Sequence, residues 1–235
     1  MTHQTEDDAA RWARMVDAEE RAFALLDAIE AAGIMKPGRT EGEVDRDIEA
    51  IAADQFGIAR NWHQRLVRAG VNTTCIFSDR PDEVTIGPED TVYVDMGPVF
   101  EQAEADVGRT YAMGQDPARH ALVAALPEVF EEMREFALSK PDVTGAEVYD
   151  FACRAAEARG YHFGGKIAGH TVGEFPHATW PLEPAHQRLW PDNPEPLSNP
   201  DHLGRPRYWI LEAHLVEPSR EWGGFYERLL RGQGQ

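Results

Sequence analysis

Charged residues inside or beside apolar strands constrain a fold more than any other feature of this chain. Five short motifs each carry one candidate metal ligand: VYVDMG (92–97) with Asp95, AEADVGRT (103–110) with Asp106, AGHTVG (168–173) with His170, WILEAH (209–214) with Glu212, and GGFYERLL (223–230) with Glu227. A buried carboxylate needs a cation or several hydrogen-bond donors. Four carboxylates carry four negative charges, and two divalent cations would neutralise them. The pattern therefore points to strands arranged so that these five side chains meet around a pair of metal ions.

The rest of the composition bounds what such a site can serve. The chain has 235 residues, which fits one large domain or two small ones, and 42% are hydrophobic. Its 41 acidic residues against 23 basic ones leave a net charge of −18, which argues against nucleic-acid or anionic-membrane partners. Two cysteines, Cys75 and Cys153, offer no disulfide framework and suit a reducing, cytoplasmic setting. The N-terminal stretch is acidic and polar rather than a secretory leader, and no segment has the apolar length of a membrane span.

Periodicity places the elements. Apolar residues at helical spacing over 7–33 predict an amphipathic helix, interrupted by Glu19 where an apolar residue is expected. Thr40 with Glu43, and Thr144 with Glu147, are capping-box pairs that open two further helices, closing near Gly57 and Gly160. Another helix is expected over 117–138, and strands over 64–68, 91–96 and, as a hairpin, 207–230. TEGEVDRDI (40–48) and TGAEVYDFA (144–152) echo each other, which hints at a duplicated helix–strand unit. Eight of the sixteen prolines fall in 176–206, which reads either as a lid or pocket wall or as a surface insertion.

Taken singly, Asp95 or Asp106 is more often a turn or cap residue, and Arg109 is an alternative cation for Asp106. His170 lies between Gly169 and Gly173, where glycine allows close backbone approach. His177 follows seven residues later and can face the same cavity. Glu217 competes with Glu212, but pairing Glu227 with Glu212 centres the hairpin on Pro218-Ser219-Arg220-Glu221, the better turn. His214 shares the face of Glu212 by strand alternation.

The order Asp, Asp, His, Glu, Glu, the eleven-residue step from Asp95 to Asp106 and the seven-residue step from His170 to His177 resemble the pita-bread metallopeptidases, the group of methionine aminopeptidase, aminopeptidase P, prolidase and creatinase. The resemblance implies an α+β fold, two pseudo-symmetric helix-plus-strand halves around a curved, mainly antiparallel sheet, with residues 1–235 forming one catalytic domain. It implies two divalent metal ions, Mn²⁺, Fe²⁺, Co²⁺ or Zn²⁺. Asp95 would bind one, His170 and Glu212 the other, and Asp106 and Glu227 both. A water or hydroxide shared by the metals is the implied nucleophile, Glu212 or the bridging carboxylate the proton carrier, and His177 the donor to the scissile carbonyl oxygen or the tetrahedral intermediate. The implied activity is that of an Xaa-Pro aminopeptidase or dipeptidase on short peptides, the chain acting as a monomer or homodimer. The alternative is a pita-bread enzyme acting on a small metabolite, as a C–N hydrolase, a lyase or an iron-dependent oxidase.

Three departures from that group bear on the substrate. The stretch before the first Asp, NTTCIFSDRPDE (72–83), lacks the histidine its peptidases carry. His63, in NWHQR, is the nearest substitute but is expected on the wrong side of strand 64–68; with His214 it is a candidate for substrate contact. The fourth ligand is followed by Ala213 rather than proline, and the proline-rich insertion follows His177.

Overall fold

The computed structural model describes residues 8–179 and 184–232. The expected helix start at residue 7, the polar N-terminal stretch before it, and residues 180–183 of the proline-rich segment lie outside the described residues.

Helix α1 (Asp8–Ala31) and helix α2 (Glu41–Phe56) come first. Strand β1 (Leu66–Ala69) follows, then β2 (Thr91–Met96), a short β3–β4 hairpin (Val99–Phe100, Ala103–Glu104) and β5 (Val107–Ala112). The second half repeats the scheme: α3 (Pro117–Ala137), α4 (Gly145–Ala158), β6 (His162–Phe163), β7 (Gly169–Val172), β8 (Tyr208–Val216) and β9 (Gly223–Leu229). Both capping boxes form. Thr40 and Thr144 each accept a hydrogen bond from the backbone N–H three residues on, and Glu43 and Glu147 reach back to the cap N–H. Each box is worth ~1 kcal/mol of helix stability. The echo between residues 40 and 144 is thus a repeated helix start.

The strands form a seven-stranded sheet in the order β1-β2-β5-β9-β8-β6, with β7 also pairing β8. Every pairing is antiparallel. Among the described residues, two large apolar clusters build most of the core, and Leu66, Tyr93 and Phe225 form a small third. Of the large ones, one joins α1 and α2 to Val92, Val94, Met96 and Val107. The other joins α3 and α4 to Trp209, Leu211, Ala213 and Leu215. Because side chains alternate along a strand, Tyr93, Asp95, Glu212 and His214 take the face opposite these helix-packed residues.

Glu19 explains its own intrusion into the α1 stripe. It is buried and accepts hydrogen bonds from the Leu229 N–H (3.0 Å), Arg228 Nε (3.2 Å) and Arg231 Nη1 (2.8 Å). A carboxylate there ties α1 to the end of β9. The proline-rich segment is likewise sewn down. The Asn193 and Glu195 carbonyls accept from the Ala146 (2.8 Å) and Gly145 (3.3 Å) N–H groups, so this segment completes the N-terminal turn of α4. Leu189 and Leu197 are buried in the second core.

Candidate metal centre

Strand register assembles the site. Leu66 faces Asp95 across β1–β2, Asp95 faces Gly108 across β2–β5, Gly108 faces Glu227 across β5–β9, and Glu227 faces Glu212 across β9–β8. One row across five strands therefore carries three of the carboxylates on one face. Gly108 is its silent member: a Cβ there would lie 2.6 Å from the Phe225 ring and 3.2 Å from the Glu227 Cβ. Asp106 stands two residues before Gly108 and so shares its face. His170, from β7, points Nε2 at Asp106 Oδ2 (3.2 Å), Glu227 Oε1 (3.5 Å) and Glu212 Oε1 (3.6 Å). The hairpin has the register that pairs Glu212 with Glu227. Glu217 lies in the exposed turn, where it accepts from the Ser219 and Glu221 N–H groups. Arg109 is also outside the site, since it pairs with Asp27 of α1 at 2.7 Å.

His63 departs from its expected placement. β1 begins only at Leu66, and the preceding segment is drawn across the β2–β3 turn: Trp62 N–H donates to the Gly97 carbonyl (2.8 Å) and Val99 N–H to the Arg60 carbonyl (3.0 Å). This carries His63 over the carboxylate row, with Nε2 3.0 Å from Asp106 Oδ1 and 3.6 Å from Asp95 Oδ1. Asp106 thus presents one oxygen to each of two imidazoles. Among the described residues, two sets of ligand atoms are compact enough to hold an ion, His63–Asp95–Asp106 and Asp106–His170–Glu227, and they share Asp106.

The family model of metallopeptidase family M24 matches residues 13–200. The chain belongs to that family. No curated protein matches it. Among solved structures it is similar to an Xaa-Pro dipeptidase from Bacillus anthracis (TM-score 0.68, 20% identity, covering 93% of this chain and 56% of that one). It is also similar to an X-Pro aminopeptidase from Thermotoga maritima (TM-score 0.67, 19% identity, 95% and 61%). A third similar structure is a dipeptidase from Mycobacterium ulcerans (TM-score 0.63, 25% identity, 92% and 55%). The chain spans under two thirds of the length of these relatives. The pita-bread fold expected from the sequence is the fold observed, and its mainly antiparallel sheet agrees with these M24 structures.

For this M24 member, the electrostatics of the row ask for positive charge. Burial raises the carboxyls of Asp95, Glu212 and Glu227 above their ordinary range, and the neighbouring Asp106 charge adds to the rise. Burial would also raise Asp106, but His63 and His170 outweigh it and hold this carboxyl below its usual value. Glu227 is 2% exposed, and its Oε2 makes no hydrogen bond among the described residues. A buried carboxylate oxygen without a donor is costly, and a cation would satisfy it. The donor set of four carboxylates and imidazole nitrogen suits first-row divalent ions. His170 Nδ1–H donates to the Thr171 carbonyl (2.9 Å), which fixes the tautomer that turns the Nε2 lone pair toward the carboxylates.

The site opens into a cavity of about 490 Å³. Trp62, Ile76, Phe77, Tyr93, Ile167 and Phe225 supply apolar wall, and Lys166 and Arg188 are exposed on its lining. Gln187 and Arg188 come from the proline-rich segment, so part of that segment serves as pocket wall. Loop 72–83 contributes Cys75, Ile76, Phe77 and Ser78. His214 lines the cavity too, but it is buried, and its Nε2–H donates to the Thr73 carbonyl at 2.8 Å. His177 is buried beside the site, with Nδ1 in close contact with the Glu104 carboxylate and its backbone N–H donating to Glu104 Oε1 (3.0 Å).

Two site residues escaped the sequence reading. Glu104 lies two positions before Asp106 in the same motif, and its only signal was charge on a second, adjacent apolar segment. Trp62 meets His63, His170 and His177 edge-on, with ring centroids 4.5, 5.5 and 5.1 Å away. Nothing local to NWHQR marks it, because all three contacts but one are made through space.

Proposed function

We propose that this chain is a dinuclear metal-dependent hydrolase that cleaves short peptides of the Xaa-Pro type. The observation that carries the reading is the buried row Asp95–Glu227–Glu212 with Asp106 and His170 converging on it, in a chain of a metallopeptidase family. Asp95 would hold one ion, His170 and Glu212 the other, and Asp106 and Glu227 would face both. Bound there, two divalent cations would supply Lewis acidity and a water activated at neutral pH.

The chain's own groups do the rest. Glu212 lines the cavity beside the row, where it can take a proton from the attacking water and pass it to the departing amine. Glu104 fixes the rotation of His177, leaving Nε2 as the ring nitrogen turned away from Glu104 to meet the scissile carbonyl oxygen. Trp62, Tyr93 and Phe225 exclude water from the reacting groups and offer flat apolar surface to a ring such as proline. Lys166 and Arg188 can receive the carboxylate of a short substrate. Two free cysteines suit a cytoplasmic setting, and no helix of the described residues is long and apolar enough to cross a membrane.

A second reading, turnover of a small amine- or amide-bearing metabolite on the same centre, draws on loop 72–83, which turns Phe77 rather than an imidazole toward the cavity. Chelator-stripped protein reloaded separately with Mn²⁺, Fe²⁺, Co²⁺ and Zn²⁺ should hydrolyse Xaa-Pro dipeptides, and Glu227→Ala should not. Hydrolysis of small amides with no cleavage of Xaa-Pro or N-terminal Met peptides would transfer the assignment to the second reading.

A further inference from the structure

We propose that His63 Nε2 is itself a metal ligand, completing the Asp95–Asp106 site so that each of the two ions has one imidazole. The proposal rests on the metal centre above and assigns it a nitrogen donor that the five-residue set does not contain.

The geometry is that of a ligand rather than of a substrate contact. His63 Nε2, one Asp95 oxygen and one Asp106 oxygen all lie within 4.8 Å of one another, the spacing that lets three donors share one cation. The ring is nearly buried, and its Nε2 is turned to the Asp106 and Asp95 carboxylates, 3.0 and 3.6 Å away. His63 also repeats the arrangement of His170. Its Nδ1–H donates to the carbonyl of the next residue, Gln64, at 2.9 Å, as His170 Nδ1–H does to Thr171. That second bond leaves the Nε2 lone pair as the donor, the usual arrangement for a ligating histidine.

Three further contacts set the ring's position. Trp62 packs edge-on against it at 4.5 Å and anchors its own Nε1–H on the Ala105 carbonyl (2.9 Å). Phe77 closes the other side at 5.5 Å. Gly97 makes the approach possible, because a Cβ there would lie 2.3 Å from His63 Cδ2 and 2.4 Å from Trp62 Nε1. The chemical consequence is a shift in preference. With one nitrogen at each ion instead of one nitrogen for the pair, the centre favours Fe²⁺, Co²⁺ or Zn²⁺ over the more oxygen-seeking Mn²⁺.

The test compares chelator-stripped wild type, His63→Ala and His63→Gln by calorimetric titration with Zn²⁺ and Mn²⁺ at one pH, with metal counted after dialysis. Wild type should bind two ions. Both variants should keep one tight ion and lose affinity for the other on the order of 100-fold or more, with the larger loss for Zn²⁺. X-ray absorption of zinc-loaded wild type gives a reading independent of variant folding: an average of one imidazole per zinc is expected, and one imidazole per two zincs overturns the proposal. Two ions bound at wild-type affinity by His63→Ala would also overturn it while leaving the dinuclear centre intact. A wild type that binds no metal would overturn both.

Discussion

At the scale of single residues, the centre is defined by what each side chain is denied. Glu227 Oε2 is denied a hydrogen-bond donor, Gly108 and Gly97 are denied a Cβ, and His63 and His170 have one ring nitrogen already committed to a carbonyl. Each restriction leaves a lone pair or a space at one of the two ligand sets that share Asp106. Glu104 works one step further out, as a positioning residue for His177. Glu104→Gln keeps the shape but weakens the hold on the imidazole. It should lower kcat on the order of 10–100-fold with KM and bound metal nearly unchanged, and Glu104→Asp should recover part of the loss. Steady-state kinetics alongside metal counts separate this outcome from a metal-binding role, in which the metal count would fall with kcat.

At the scale of elements, the helices and the hairpin were legible in the sequence because their signals are local. Thr40–Glu43 and Thr144–Glu147 cap helices with contacts only three residues apart, and the β8–β9 register follows from the residues of its own turn. His63 was misplaced because its position depends on bonds between residues 60–62 and 97–99, which no periodicity encodes. Glu19 marks the boundary between these cases. Its intrusion into an apolar stripe is visible in the sequence, but its partners lie some 210 positions away in β9 and beyond. Glu19→Gln should lower folding stability by about 1–3 kcal/mol, because the Leu229 N–H and two guanidinium groups lose a charged acceptor. Urea unfolding of metal-loaded protein measures it, and a change below a few tenths of a kcal/mol would show that α1 docks without this tie.

At the scale of the whole molecule, two helix pairs cover one face of a sheet whose other face gathers negative charge, and the metal-free and metal-loaded proteins should respond differently to pH. Burial alone would lower the pKa of His63, but the Asp106 and Asp95 carboxylates outweigh it and raise it to about 9. A group raised above its ordinary value of 6.5 contributes stability that is complete below that value and lost as pH rises through about 9. Asp95, Glu212 and Glu227 are shifted upward too and act in the same sense, while Asp106 is shifted downward and acts only in acid. Metal-free protein should therefore lose melting temperature between pH 6.5 and 9, and loading with metal at pH 7.5 should release protons. Melting curves in chelator and calorimetry in two buffers of different ionisation enthalpy check both signs. What the sequence left open at this scale is the cavity, because its walls come from residues 62, 75–78, 93, 167, 187–188 and 225, which only the folded sheet brings together. The central claim, a dinuclear centre built on the carboxylate row, is tested most directly by counting tightly bound divalent ions per chain in wild type and in Asp106→Asn. Two ions in the wild type and none held tightly in the variant is the predicted result, since Asp106 belongs to both ligand sets. A wild type that binds one ion or none, or a variant that still binds two, would contradict it.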